Sequence, residues 1–310
     1  MEMGMVGLGR MGGNMVLRLM KRGHRMVAFD QSPDAVKAHV AQGAIGANTL
    51  GDFVKAFQSK PRIMWVMVPA GDPTTQTIDK LVELGEPGDI VIDGGNTNWK
   101  MALQDAARVK ARGMHYMDAG TSGGIWGLEY GYCLMVGAEQ ETYDHCLPLL
   151  KDLAPDDGGL VRTGAEGSGH FVKMVHNGVE YGLMQAYAEG FQVMKLSKSF
   201  PGMDMQAIAE AWRTGSVVRS WLLDLIARGL SQDPELAGIK GWVEDTGEGR
   251  WTVEAAIDES VPVPIIAESL FARFRSRMEN TFGDRMLAMM RNQFGGHAVV
   301  TDAKGEVARR

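Results

Sequence analysis

The sequence predicts an α/β chain in two parts, an N-terminal half built on a mostly parallel sheet followed by an all-α C-terminal half. Three observations carry this expectation. Short apolar runs alternate with helical stretches up to about residue 160, the first run ends in a glycine-rich turn that opens a helix, and beyond that point only helical patterning continues. The expected division is 1–163 and 164–310.

Taken in order, residues 3–6 form a short apolar run, and 11–21 carry helical spacing with Gly23 near the end. Residues 25–29 return to strand character before Asp30. Strands at 63–68 and 90–92 alternate with helices at 73–84 and 99–112, and 114–118 and 132–136 add two further strands. Residues 167–196 form one long helix. Helical spacing continues over 205–212, 220–229, 251–259, 263–279 and the segment before Phe294. There is no internal repeat or low-complexity stretch, which argues against a solenoid or a disordered scaffold.

A chain of 310 residues buries a substantial core without staples. Its two cysteines, Cys133 and Cys146, lack CxxC spacing, so we expect a reducing compartment and no metal site. A net charge of −6 with dispersed basic residues argues against nucleic acid as partner. No basic segment precedes a long apolar run at the N-terminus, and no stretch reaches the roughly eighteen apolar residues of a membrane span. The expectation is a cytoplasmic protein that does not engage a membrane.

The glycine-rich turn has a chemistry. Gly7, Gly9 and Gly12 follow a strand and open a helix, and Asp30 closes the next strand, the context that turns a weak GxGxxG match into a dinucleotide site. Gly7 permits the tight turn, Gly9 removes the side chain that would block a pyrophosphate, and Gly12 lets helix and sheet approach. The N-terminal amides of that helix then face the phosphates, which assigns the stretch Gly7, Leu8, Gly9, Arg10, Met11 and Gly12 to the cofactor. Asp30 accepts hydrogen bonds from a ribose diol and repels a 2′-phosphate, so the expected cofactor is NAD rather than NADP, with Arg10 able to soften the preference. Val68, Pro69 and Ala70 stand at a strand end suited to the nicotinamide half, although a plain loop there fits them almost as well. The fold is therefore expected to be Rossmann-like.

The long helix carries Lys173, His176, Asn177, Glu180 and Tyr181, which at 100° per residue share one polar arc of about 140°. A lysine of perturbed pKa takes a proton from an alcohol as hydride leaves, and a carboxylic acid returns one to carbon, so Lys173 and Glu180 describe an acid–base pair. Two glycine-rich strand-end loops, one at Ser122, Gly123 and Gly124 and one ending at Asn96, offer backbone and amide groups to a small polar substrate.

These residues resemble the decarboxylating 6-phosphogluconate dehydrogenase family along nearly the whole chain. The stretch GSGHFVKMVHNGVEYG at 167–182 is similar to that family's catalytic helix, and VGLGRMGGN, IDGGN, SGG, RWT and FAR are similar to its other motifs. The resemblance implies that Lys173 is general base and then acid, and that Glu180 protonates the product carbon. It implies that Asn96, Ser122, Gly123, Gly124, His176 and Asn177 hold the sugar acid, and that Tyr181 and Arg273 hold its phosphate. In the tail RNQFGGH it implies that Arg291 and His297 close the phosphate site of a partner subunit, so a homodimer or homotetramer is expected, in gluconate utilisation and the pentose phosphate pathway.

Two departures stand out. The chain is much shorter than the long members of that family and is similar to a short, often NAD-linked branch. The segment EDTGEGRWT also sets Thr246 and Glu248 where long members carry a phosphate-binding lysine and threonine. Either Arg250 compensates for Glu248, the loop turns away, or the substrate lacks a phosphate. The alternatives are a β-hydroxyacid dehydrogenase resembling the 3-hydroxyisobutyrate type, a dehydrogenase of unphosphorylated sugar acids such as gluconate, and a dinucleotide-sensing protein without chemistry.

Overall fold

A computed structural model describes residues 1–295, 298–300 and 307–308. The first half runs β1 (Glu2–Val6), α1 (Arg10–Lys21), β2 (Arg25–Phe29), α2 (Pro33–Val40), β3 (Ile45–Gly46), α3 (Leu50–Lys55), β4 (Ile63–Val66), α4 (Asp72–Leu84), β5 (Ile90–Asp93), α5 (Trp99–Lys110) and β6 (His115–Ser122). A short 3₁₀ turn at Gly124–Trp126 leads into α6 (Gly127–Tyr130), β7 (Cys133–Ala138), α7 (Gln140–Leu153) and β8 (Leu160–Gly164). The helices α8 (Ser168–Lys195), α9 (Met205–Arg213), α10 (Trp221–Gln232), α11 (Glu248–Asp258), α12 (Pro264–Ser276) and α13 (Phe282–Gly295) follow, with two-residue strands β9 (Val299–Val300) and β10 (Val307–Ala308) pairing antiparallel.

The strands of the first half form one sheet in the order β3-β2-β1-β4-β5-β6-β7-β8. Strands β1 to β6 run parallel, β7 is antiparallel to β6, and β8 is parallel to β7. Alternate residues feed two apolar cores: Met3, Met5, Ile63, Trp65, Ile90 and Ile92 face one, while Val6, Met64, Val66 and Val91 face the other. Burial on both faces explains why these strands are near-continuous apolar runs rather than alternating ones. The reversal of order at β1 and β4 opens a crevice at the carboxyl ends of the strands, where such sheets bind ligands.

Several elements carry no clear sequence pattern. Helix α2 starts at Ser32, whose hydroxyl accepts the Ala35 amide, with Pro33 at the first helical position. Helix α7 carries Pro148 in its interior, which hides its helical pattern. The pair β9–β10 adds a little sheet to an otherwise helical half.

Packing divides the chain into two compact units, Met1–Val179 with Gly247–Glu259, and Glu180–Thr246 with Ser260–Arg310. Patterning changes from mixed to helical near 163, whereas the units part inside α8, whose first half packs on the sheet. In the second unit Tyr187, Phe191 and Met194 of the later α8 pack with Met205 and Ala209 of α9 and with Leu223, Ala227 and Leu230 of α10. Among the described residues, no helix is long and apolar enough to cross a membrane.

Candidate active site

In the first unit a cleft of about 350 Å³ opens at the strand ends, lined by Gly9 to Gly12, Met67 to Ala70, Gly94 to Asn96 and Thr121. The expected cofactor residues Gly9, Arg10, Met11, Gly12, Val68, Pro69, Ala70 and Asn96 thus meet in one place. Leu8 contributes only its backbone, because its side chain is in the core. Gly7 has φ +99°, and a Cβ there would lie 2.3 Å from the Met67 carbonyl, so the turn demands glycine. A Cβ on Gly9 would meet nothing within 4 Å, which leaves the helix N-terminus open to a phosphate.

Asp30 is held by two amides: its Oδ2 accepts the Leu8 N–H at 2.6 Å and its Oδ1 the Ser32 N–H at 2.8 Å. A carboxylate accepts about four hydrogen bonds, so each oxygen keeps capacity for a ribose hydroxyl. The open cradle and the anchored carboxylate together fit a dinucleotide without a 2′-phosphate.

Helix α8 is seated on β6. Buried Asp118 accepts the Gly167 N–H at 2.6 Å and the His170 N–H at 2.7 Å, so a side chain remote in sequence caps the helix. Burial raises the Asp118 carboxyl above its ordinary range, against the pull of His170 and the two amides. His170 Nε2 lies 3.2 Å from Asp93 Oδ2, at ion-pair distance though off the line of a hydrogen bond. Burial disfavours the charged imidazole, but Asp93 outweighs it and holds His170 above its ordinary value. Asp93 is likewise held low: burial opposes its charge, and His170 and the Gly95 amide overcome that penalty. Gly95 lines the cleft, so this loop and the start of α8 share one buried charge pair.

Lys173 follows three residues later and is only 7 % exposed. Its stem crosses β6 at Gly120, where a Cβ would lie 2.4 Å from the Lys173 Cβ, and Gly120 precedes the cleft residue Thr121. The ammonium donates to Asn177 Oδ1, which also accepts from His176 Nδ1 at 3.0 Å, in the tautomer that protonates this nitrogen. The Asn177 amide nitrogen donates to Glu248 Oε2. Glu248 therefore points inward and is 3 % exposed. Helix α11 reaches this place because Thr252 packs on Gly178 and its hydroxyl lies 2.7 Å from the Met174 carbonyl.

The polar face expected on α8 is largely turned inward: Lys173, Asn177 and Tyr181 are buried, with His176 and Glu180 half-buried. Glu180 and Tyr181 belong to the second unit. There the Arg273 guanidinium stacks 3.4 Å from the Tyr181 ring centre and donates to the Glu244 carbonyl at 2.9 Å. The Thr246 amide donates to the Tyr181 hydroxyl at 3.3 Å. Ser122, Gly123 and Gly124 end β6 and begin the 3₁₀ turn, outside the lining of the cleft, with Gly123 at φ +124°. Arg291 is exposed on α13, and His297 lies outside the described residues.

Asp93, Asp118, His170 and Thr252 play parts that spacing along the sequence does not reveal. Their only sequence signal was an acidic residue at each of two strand ends and polar residues inside the quoted motifs.

A family model described as the NAD binding domain of 6-phosphogluconate dehydrogenase matches residues 2–164, and one described as 6-phosphogluconate dehydrogenase, C-terminal domain, matches 169–306. A Haloferax volcanii protein named 6-phosphogluconate dehydrogenase, NAD(+)-dependent, decarboxylating, is 42 % identical over 300 residues, 96 % of this chain and 98 % of its own. The structure of Plasmodium falciparum 6-phosphogluconate dehydrogenase is similar at TM-score 0.83 and 25 % identity, covering 99 % of this chain and 67 % of that longer one. A 3-hydroxyisobutyrate dehydrogenase from Mycobacterium tuberculosis has TM-score 0.69 at 23 % identity, over 86 % of this chain and 90 % of its own, and shares the fold.

Proposed function

The chain belongs to the 6-phosphogluconate dehydrogenase family, and on that premise we propose that it converts 6-phospho-D-gluconate to D-ribulose 5-phosphate and carbon dioxide with reduction of NAD. In this reading residues 1–163 are the NAD-binding domain and 164–310 the substrate-binding and dimerisation domain of a cytoplasmic homodimer or homotetramer. The observation that carries it is the buried Lys173, seated against Gly120 beside the Thr121 wall of the cleft, with Asn177 and Glu248 behind it.

NAD, held by Gly7 to Gly12, Asp30, Val68 to Ala70 and Asn96, supplies the acceptor for the hydride that leaves C3. Lys173 takes the proton of the 3-hydroxyl at the same time, leaving a 3-keto acid. The C1–C2 bond then breaks, carbon dioxide departs, and its electron pair passes through C2 onto the carbonyl oxygen. Protonated Lys173 stabilises that oxyanion and gives it the proton, which makes an enediol. Glu180 protonates the carbon that lost carbon dioxide, C1 of the product, and the enediol hydroxyl returns its proton as the ketone forms. Ser122, Gly123, Gly124, His176 and Asn177 hold the sugar acid. Tyr181 and Arg273 take the phosphate, with Arg291 and His297 of a second subunit closing over it.

The stacked Tyr181–Arg273 pair supports a phosphate ligand, since a guanidinium held flat keeps its donors directed. The test is NADH formation with 6-phosphogluconate, gluconate and 3-hydroxyisobutyrate in parallel, with released carbon dioxide trapped. Equimolar NADH and carbon dioxide from the phosphorylated acid alone is the expected result. Oxidation of gluconate or 3-hydroxyisobutyrate in its place would overturn the substrate assignment.

A further inference from the structure

Glu248 occupies a place that side-chain chemistry does not favour without a reason. A carboxylate only 3 % exposed is strongly disfavoured by desolvation unless charge and hydrogen bonds compensate. Several groups compensate it, the nearby His170 among them. Glu248 opens α11 behind Gly247, so its charge sits at the positive end of a helix dipole, and its Oε2 accepts the amide of Asn177.

That second contact decides which way Asn177 faces. With the nitrogen on Glu248, the oxygen faces Lys173 and His176 and accepts from both. The flipped amide would set NH₂ against an ammonium and a carbonyl against a carboxylate, so the charges at the two ends enforce one orientation. Helix α11 is in turn pinned to α8 through Thr252, which fixes the spacing between Glu248 and Asn177.

We propose that Glu248 is a positioning residue for Lys173: through Asn177 it holds the ammonium in place, and its charge sets the pH at which Lys173 gives up its proton. The inference rests on the proposed role of Lys173 as general base. It also gives the inward-pointing carboxylate a task directed at the lysine rather than at a phosphate. Titratable and charged groups around this chain of contacts include His176 on α8, Arg250 two residues on from Glu248 in α11, His170 with Asp93 at the end of β5 and Asp118 within β6, and Cys133 of β7. All of them remain when Glu248 is changed, so a shift specific to Glu248 stands out against them.

The experiment is the pH profile of kcat/KM for 6-phosphogluconate in the wild type, Glu248→Gln and Glu248→Asp, each first checked for folding by thermal melting. Glu248→Gln keeps the length and removes the charge, so the acidic limb is expected to move about one to two pH units lower, because the free base is no longer disfavoured by a nearby anion. Glu248→Asp keeps the charge but shortens the reach, so its limb stays in place while kcat falls several-fold with KM little changed. An unmoved limb in a folded Glu248→Gln variant overturns the inference. If that variant does not fold, wild-type kcat in Glu248→Asp, or a change in KM alone, overturns it. Absence of carbon dioxide release by the wild type would instead overturn the proposed function.

Discussion

Replacing Gly120 by alanine tests whether the seat of Lys173 on β6 is what places the proton acceptor. The added Cβ would lie 2.4 Å from the Lys173 Cβ and 2.8 Å from the Gly169 carbonyl oxygen. An ordinary carbon–carbon contact is ~3.5–4.0 Å, so α8 must retreat by about 1 Å or more at Lys173. The backbone oxygen cannot swing aside as a flexible side chain would, and the Asp118 cap ties the helix start to this same strand. Overpacking of this kind costs about 1–3 kcal/mol. A misplacement of about 1 Å at the reacting centre lowers turnover roughly 10²-fold. We therefore expect Gly120→Ala to fold with a lowered melting temperature, to bind NADH with near-normal affinity, and to lose about two orders of magnitude in kcat. Steady-state kinetics, a fluorescence titration with NADH and a thermal melt read the three quantities separately. A folded variant with kcat within about twofold of wild type would refute the proposal that this contact positions the lysine.

Two further outcomes follow from other parts of the first unit. Asp30→Asn removes the charge that opposes a 2′-phosphate, so the ratio of kcat/KM for NAD over NADP should fall at least about tenfold; an unchanged ratio would move selectivity elsewhere, with Arg10 the first candidate. Asp105, 1 % exposed on α5, has its carboxyl raised to about 6 by burial in spite of Arg108. A carboxyl raised on folding stabilises the protein below its unfolded pKa and loses that contribution as pH rises through the folded value, here between about 4 and 6, by ~3 kcal/mol. Asp105→Asn stays neutral, so its melting temperature relative to wild type should climb across that window, and a constant difference from pH 4 to 7 would contradict the assignment.

How much of this was legible in the sequence differs from part to part. The glycine turn at the cleft was legible, because backbone geometry is what glycine spacing records directly: Gly7, Gly9 and Gly12 follow the first strand, and Asp30 follows the adjacent one. The periodicity of 167–196 likewise predicts α8 to within a residue at each end. Helix α7 was hidden, since Pro148 in its interior breaks the local pattern while tertiary packing of Cys146, Leu149 and Leu150 retains it. For α8 itself, the sequence identifies the polar arc but not its surroundings.

The sequence by itself determined the two-part fold, the glycine turn, and the one helical face shared by Lys173, His176, Asn177, Glu180 and Tyr181, because each leaves a local signature of spacing or composition. Tertiary structure alone decided how they are held. Asp118 caps a helix that begins about fifty residues later, Asp93 meets His170 across the sheet end, and Glu248 reaches Asn177 from a helix about seventy residues away. No periodicity connects such pairs. They exist because a buried charge must find a partner wherever the folded chain brings one, and only the completed packing determines which one is there.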